Sequence, residues 1–115
     1  MGTPQTATEI AERQGIPEKY LVHILLQLKR AGVVQSVRGA QGGYMLGRGP
    51  GAISVLDVVT AVDGPILEPI PGLDSPTEEV RLVWRKVARR LTETLGEVTI
   101  QSILDEAAKA DMYFI

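Results

Sequence analysis

The 115-residue sequence predicts a mainly α-helical chain with one small β-hairpin. Apolar residues recur at helical spacing in five separate segments. A short β-branched run at residues 33–37 is followed by a glycine-rich turn and a second apolar run, a pattern typical of a hairpin. The hydrophobic content of 44 % and the charged content of 23 % are those of a folded domain rather than of a disordered chain.

Two short helices joined by a turn open the chain. Thr6 or Thr8 can cap the first helix, which ends at Gly15 because glycine readily adopts the turn conformation. Pro17 starts the second helix, which is predicted to run to about Ala31. The apolar residues of this second helix recur at helical spacing and form one buried stripe: Leu21, Ile24, Leu25 and Leu28.

The hairpin is followed by a third helix and then by a loop. Residues 33–37 are predicted to pair with residues 44–46, and Ser54 caps a helix that reaches about Val62. Residues 63–76 hold four prolines and two glycines, a composition typical of a loop or linker. We therefore expect three parts, namely a first domain at residues 1–65, a Pro/Gly-rich linker at 66–76 and a helical arm at 77–115.

The arm is predicted to contain a long helix from Thr77 to about Leu95 and a final helix at residues 99–109. One apolar stripe runs along the long helix: Val80, Trp84, Val87, Leu91 and Leu95. Tryptophan in such a stripe is more often a core or oligomer contact than the wall of a ligand pocket. We expect this stripe to form a dimer interface. In the final helix we expect four residues to face inward: Ile100, Ile103, Leu104 and Ala107.

The composition excludes several classes of site. The chain has no Cys and one His, which excludes disulfides, cysteine nucleophiles and thiolate-held metal clusters. Glu78 and Glu79 are adjacent at a helix start, where they suit the helix dipole rather than acid–base catalysis. The apolar runs are too short to span a bilayer, and no signal-peptide pattern opens the chain. We therefore predict a cytoplasmic protein that is not an enzyme and has no metal cofactor.

The formal net charge of −2 conceals an uneven distribution. Residues 13–48 carry six basic side chains against one acidic side chain, a net charge of +5. Residues 49–115 carry six basic against eleven acidic side chains. A basic segment on an acidic remainder indicates a polyanionic partner, although on charge alone a solvated basic face is the other interpretation.

Residues 7–26 have the features of a helix-turn-helix. Ala11 is a small residue suited to the contact between two helices, and Gly15 follows four positions later at the turn. The same features occur in helical pairs with no role in DNA binding. The hairpin that follows places Arg38 at its tip, as in a wing that reaches the minor groove or phosphates, and the combination favours DNA binding.

The second helix also carries candidate base-reading residues. Lys19, His23 and Gln27 recur at steps of four, as residues that enter the major groove should. Gln27 is suited to adenine, whereas His23 is either a base contact or a surface histidine. Lys29 and Arg30 are expected to contact phosphate.

The stretches IAERQGIPEKYLVHILLQLKRAGVVQSVRGAQGGYMLGR and ISVLDVVTAVDGPI resemble the Rrf2 family of bacterial winged-helix transcriptional regulators. The family includes the iron–sulfur assembly regulator, the nitric-oxide-sensing repressor and the cysteine-metabolism regulator. The resemblance covers residues 6–66, and SVRGAQGGY is its most specific part. It implies a winged helix-turn-helix with a long dimerisation helix, acting as a homodimer on a palindromic operator in double-stranded DNA, usually as a repressor.

The resemblance places Arg38 in the minor groove. It also assigns DNA contacts to the second helix, which is the recognition helix of the family. With the wing included, the candidate DNA-binding residues are Lys19, Tyr20, His23, Gln27, Arg30, Arg38, Gly39, Gln41, Gly42 and Gly43. It leaves the effector unassigned.

The sequence departs from the family pattern in three ways. Sensing members carry three cysteines between the third helix and the long helix, and this chain has none, so the usual [2Fe–2S] site is absent. Val22 stands where some members read a base with Glu, so the operator should differ. The family begins with a long helix, but only five residues precede Thr6. We therefore expect a missing first helix, an uncovered inner face at Leu21, Ile24 and Leu25, and weaker DNA binding. The alternative function is a protein-interaction module that has lost DNA binding.

Overall fold

The computed structural model describes residues 3–64 and 77–113, with side chains described as far as residue 110. The described residues form a mainly helical fold with a single two-stranded hairpin, which confirms the predicted fold class. The elements in chain order are α1 (Ala7–Gln14), α2 (Glu18–Arg30), β1 (Val34–Val37), β2 (Gly43–Leu46), a short 3₁₀ helix (Pro50–Ala52), α3 (Val55–Asp63), α4 (Glu78–Glu97) and α5 (Ile100–Tyr113). The predicted linker at residues 66–76 lies outside the described residues.

Side-chain caps fix where α1 and α3 begin. The Thr6 hydroxyl accepts a hydrogen bond from the backbone N–H of Glu9, and the Glu9 carboxylate accepts one from the Thr6 N–H, both at 3.1 Å. Ser54 and Asp57 form the same reciprocal pair at the start of α3, at 3.0 and 2.9 Å. Each pair satisfies two N–H groups that a helix start leaves without partners. Thr6 is therefore the cap of α1. Thr8, the other candidate, instead donates a hydrogen bond to Glu18.

The inner face of α2 is covered by α1 and the hairpin. Leu21 and Leu25 are 7 % and 6 % exposed and pack with Ala11 of α1. Partly buried residues from α1, the turn and the hairpin close this cluster: Ala7, Ile10, Ile16, Val34 and Tyr44. The expectation that Leu21, Ile24 and Leu25 would be uncovered is wrong, because α1 and the hairpin pack against Leu21 and Leu25, and Ile24 is half-buried.

The first residues of the chain pair with the hairpin. β1 and β2 are antiparallel, with Val34 opposite Leu46 and Val37 opposite Gly43. Gln5, just before α1, forms a β-bridge to Tyr44 with two backbone hydrogen bonds of 2.9 and 2.7 Å. This pairing extends the hairpin by one short bridge and fixes the entry to α1.

The arm packs on the first domain through one side of α4 and the start of α5. The half-buried residues of α4, Ala88, Thr92 and Leu95, lie on one side of the helix. The N–H of Ile100 donates to the carbonyl of the fully buried Ile53 at 2.9 Å. Ile103, Leu104 and Ala107 are exposed, so the prediction that they face inward is wrong for the single chain. Among the named elements, α5 makes its principal contact with the 3₁₀ helix, so the rest of α5 has little to pack against.

Candidate nucleic-acid interface

The turn between α1 and α2 has the close packing that a helix-turn-helix requires. Ala11 is 6 % exposed, and its carbonyl accepts a hydrogen bond of 3.0 Å from the N–H of Ile16. Thr8 of α1 donates to the carboxylate of Glu18, the first residue of α2, at 2.7 Å. A small side chain at the contact allows the two helices to approach closely, and the Thr8–Glu18 hydrogen bond connects the start of α2 to α1.

One side of α2 faces away from the core and carries mostly basic or polar side chains. We call this side the reading face; it consists of Lys19, Val22, His23, Leu26 and Arg30. Lys19, His23 and Arg30 are exposed, and Val22 is half-buried. Tyr20 lies about 100° around the helix from Lys19, outside this face, and is 61 % exposed. The reading face can therefore enter a groove without any rearrangement of the core.

Gln27 takes a different place from the one its spacing predicts. Its side-chain amide is half-buried and donates a hydrogen bond of 3.3 Å to the carbonyl of Val62 in α3. Each four-residue step advances about 40° around an α-helix, so two steps from Lys19 displace Gln27 by about 80°. That rotation moves Gln27 from the reading face into the contact between α2 and α3. The hydrogen bond to Val62 favours a packing role for Gln27 over base reading.

The wing has an open tip and a tightly packed base. Arg38, Gly39 and Gln41 are exposed at the tip, and the Gly42 N–H donates to the Gly39 carbonyl at 3.0 Å. A Cβ atom on Gly42 would collide with the Val37 carbonyl oxygen, and one on Gly43 would collide with the backbone of residue 5. The backbone of the wing and of residue 5 therefore requires glycine at positions 42 and 43. This requirement explains both glycines without any contact to DNA.

An ion pair that the sequence analysis missed joins the wing to α3. Arg48 follows β2, and its guanidinium lies 3.3 Å from Oδ2 of Asp57. The same oxygen accepts the hydrogen bond from the Ser54 N–H. Both side chains are about 40 % exposed, so the pair contributes little to stability. It connects the hairpin base to the start of α3. The only signal in the sequence was the presence of two opposite charges nine positions apart.

The stripe of α4 is exposed in the single chain. Val80, Trp84, Val87 and Leu91 are between 39 % and 52 % exposed, and Leu95 is half-buried at the edge of the contact with α3. Val83, which the sequence analysis did not include, lies on the same side and is 61 % exposed. A continuous apolar face of this kind on a folded chain marks an interaction site.

The residues that would hold an iron–sulfur cluster are not present in this chain. Protein iron–sulfur clusters are held chiefly by cysteine thiolates, and the sequence contains no Cys. Within residues 3–64 and 77–113, no group of three or more His, Cys, Asp or Glu side chains is placed to hold a metal ion. In the same part of the chain, no helix is both long enough and apolar enough to cross a bilayer.

Comparison with known proteins gives one consistent family. The family model described as "Rrf2: Iron-dependent Transcriptional regulator" matches residues 1–106. The chain is 33 % identical over 115 residues to the HTH-type transcriptional regulator CymR of Bacillus subtilis, covering 97 % of this chain and 83 % of that protein. It is 36 % identical over 121 residues to the HTH-type transcriptional regulator IscR of Xenorhabdus nematophila, covering 94 % of this chain and 73 % of that protein.

Solved structures agree with the sequence relatives. The structure of CymR, the global cysteine regulator of B. subtilis, superposes with a TM-score of 0.76 at 32 % identity, covering 90 % of this chain and 80 % of that chain. The T. potens IscR structure superposes with a TM-score of 0.77 at 39 % identity, covering 94 % and 74 %. These relatives are named as regulators of transcription. The chain described here belongs to the Rrf2 family of winged-helix DNA-binding transcriptional regulators.

Proposed function

We propose that this protein is a homodimeric repressor that binds a palindromic operator through the reading face of α2 and the tip of the wing. The observation that carries the proposal is the exposure of Lys19, His23 and Arg30 on the side of α2 turned away from the core. Arg38 follows at the open tip of the wing. A helix-turn-helix that presents Lys19 and Arg30 on its second helix and Arg38 on the following wing matches the charge of DNA, and an α-helix fits the width of the major groove.

The proposed contacts divide between bases and backbone. Lys19, Tyr20 and His23 lie in the first half of α2, the part of a recognition helix that contacts base edges. Arg30 lies at the end of α2 and contacts phosphate. Arg38 enters the minor groove, with Gly39 and Gln41 beside it at the wing tip. The phosphate contact of Arg30 fixes the position of the protein, and the base contacts select the sequence.

The proposed dimer forms through the stripe of α4. Two copies of Val80, Trp84, Val87 and Leu91 would bury the apolar face that the single chain exposes. A two-fold symmetric interface presents two reading faces related by the same axis, and this symmetry requires a palindromic operator. We also propose that the protein acts in the cytoplasm, where bacterial DNA lies, and that it responds to its signal without a thiolate-held cluster.

Selection of bound fragments from genomic DNA by the purified full chain tests the proposal. We expect enrichment of one palindromic sequence, whose affinity falls steeply with salt because cationic side chains release counterions from phosphates. A scrambled duplex of the same length and composition is the control. If no sequence is enriched, and duplex binding at low salt is absent, the proposal is wrong. A tight complex with a protein partner under those conditions would support an interaction module instead.

A further inference from the structure

Leu26 is an apolar side chain at the centre of the reading face. It is 41 % exposed, and the exposed side chains of His23 and Arg30 lie about one helical turn before and after it. Lys19 is two turns before it. Val22, one turn before Leu26, is half-buried and extends the apolar patch. The reading face therefore has an aliphatic centre and a polar border in which Lys19 and Arg30 are cationic.

The position of Leu26 separates it from the core of α2. At about 100° per residue, Leu26 lies roughly 100° from Leu25 and 140° from Leu21, the two buried residues of this helix. Gln27, the next residue, faces α3 on the other side. An exposed leucine is ordinary by itself. A leucine bordered by Lys19, His23 and Arg30 on the face that meets DNA fits a ligand that is anionic at its rim and apolar in its middle.

The major groove of DNA that contains thymine has these properties. Thymine presents a 5-methyl group on the groove floor, between the two rows of phosphates, and aliphatic side chains contact it. We infer that Leu26, supported by Val22, contacts a thymine methyl group in each half of the operator and selects thymine at that base pair. This inference rests on the proposed function and names the base chemistry that the reading face requires.

Replacement of thymine by uracil isolates the methyl group, because the two bases have the same hydrogen-bonding edges. The probe is the selected duplex with uracil substituted at one symmetric pair of thymines at a time. Removal of one buried methyl group weakens binding about fourfold, and removal of two weakens it about fifteenfold. Because each probe removes one methyl group from each half of the operator, we expect about fifteenfold weaker binding at one symmetric pair of positions. We expect little effect at the others.

The Leu26→Ala variant connects that effect to the side chain. In this variant the thymine and uracil duplexes should bind with nearly equal affinity, because the contact is absent in both. Leu82→Ala is the matched control: Leu82 is 55 % exposed on the opposite side of α4 from the stripe. Its thymine preference should equal that of the wild-type chain.

Two results would overturn the inference. One is a wild-type chain that binds the selected duplex with a normal salt dependence and shows no uracil-sensitive position. The other is a Leu26→Ala variant that keeps the full preference for thymine. Either leaves the proposed function intact, whereas a chain that binds no duplex at all refutes both.

Discussion

Replacement of Val87 by Ala measures what the stripe of α4 contributes to the dimer. Val87 is 45 % exposed in the single chain, and the change removes two methyl groups. At about 0.8 kcal/mol per buried CH₂, with somewhat less than half of that surface still to be buried, the loss is roughly 0.7 kcal/mol per subunit. The interface holds two copies of the residue, so the expected loss is about 1.4 kcal/mol, a tenfold increase in the dimer dissociation constant.

The chain provides its own probe for this measurement. Trp84 is the only tryptophan and lies in the stripe, 49 % exposed. Its emission should shift to shorter wavelength as dilute protein is concentrated and the ring leaves water. Sedimentation velocity gives the dissociation constant independently. Leu82→Ala, on the opposite side of α4, should leave both readouts unchanged. A Val87→Ala dissociation constant equal to that of the wild type, or an equal effect of Leu82→Ala, would refute the assignment of the interface.

Three further changes test the first domain. Gly43→Ala should destabilise the fold by about 1–3 kcal/mol in urea unfolding, because Gly43 has a φ of 145° and its new Cβ would meet the backbone of Gln5. Gly49→Ala is the control, because a Cβ at Gly49 meets open space and should not destabilise the fold. Equal stability of the two variants would contradict the bridge between Gln5 and Tyr44. Ser54→Ala should cost about 1 kcal/mol through loss of the α3 cap, and an unchanged urea midpoint would count against that cap. Gln27→Ala should lower stability by about 1 kcal/mol while the thymine and adenine preferences of binding stay as they are; a changed base preference would restore Gln27 to the reading face.

Local patterns were sufficient to predict most of the fold. The Ser54 cap, the stripe of Leu21 and Leu25 and the hairpin turn depend on neighbours within a few residues, which a sequence displays directly. Long-range contacts were not predictable. The bridge from Gln5 to Tyr44 joins segments 39 positions apart, and no periodicity marks it.

The candidate site shows the same division. The spacing of Lys19 and His23 is sufficient to predict that they share one face of α2. The direction of the Gln27 side chain, in contrast, depends on where α3 packs. The exposure of Ile103 and Leu104 has the same origin, because a helical stripe shows which side of a helix is apolar and does not show which molecule covers it. The sequence predicts DNA contact for the wing glycines, and their closeness to the protein's own backbone appears only in three dimensions.

The salt dependence of operator binding in the Arg38→Ala variant tests the central claim most directly. Arg38 is exposed at the wing tip, so its removal should leave the fold unchanged and weaken binding. The slope of log K against log salt should become shallower by about 0.9 for each phosphate that the variant no longer neutralises. Lys109→Ala removes the same charge from α5 and is the matched control. We predict a weaker complex and a smaller slope for Arg38→Ala alone. Equal slopes and affinities in both variants and the wild type would contradict DNA binding through the wing.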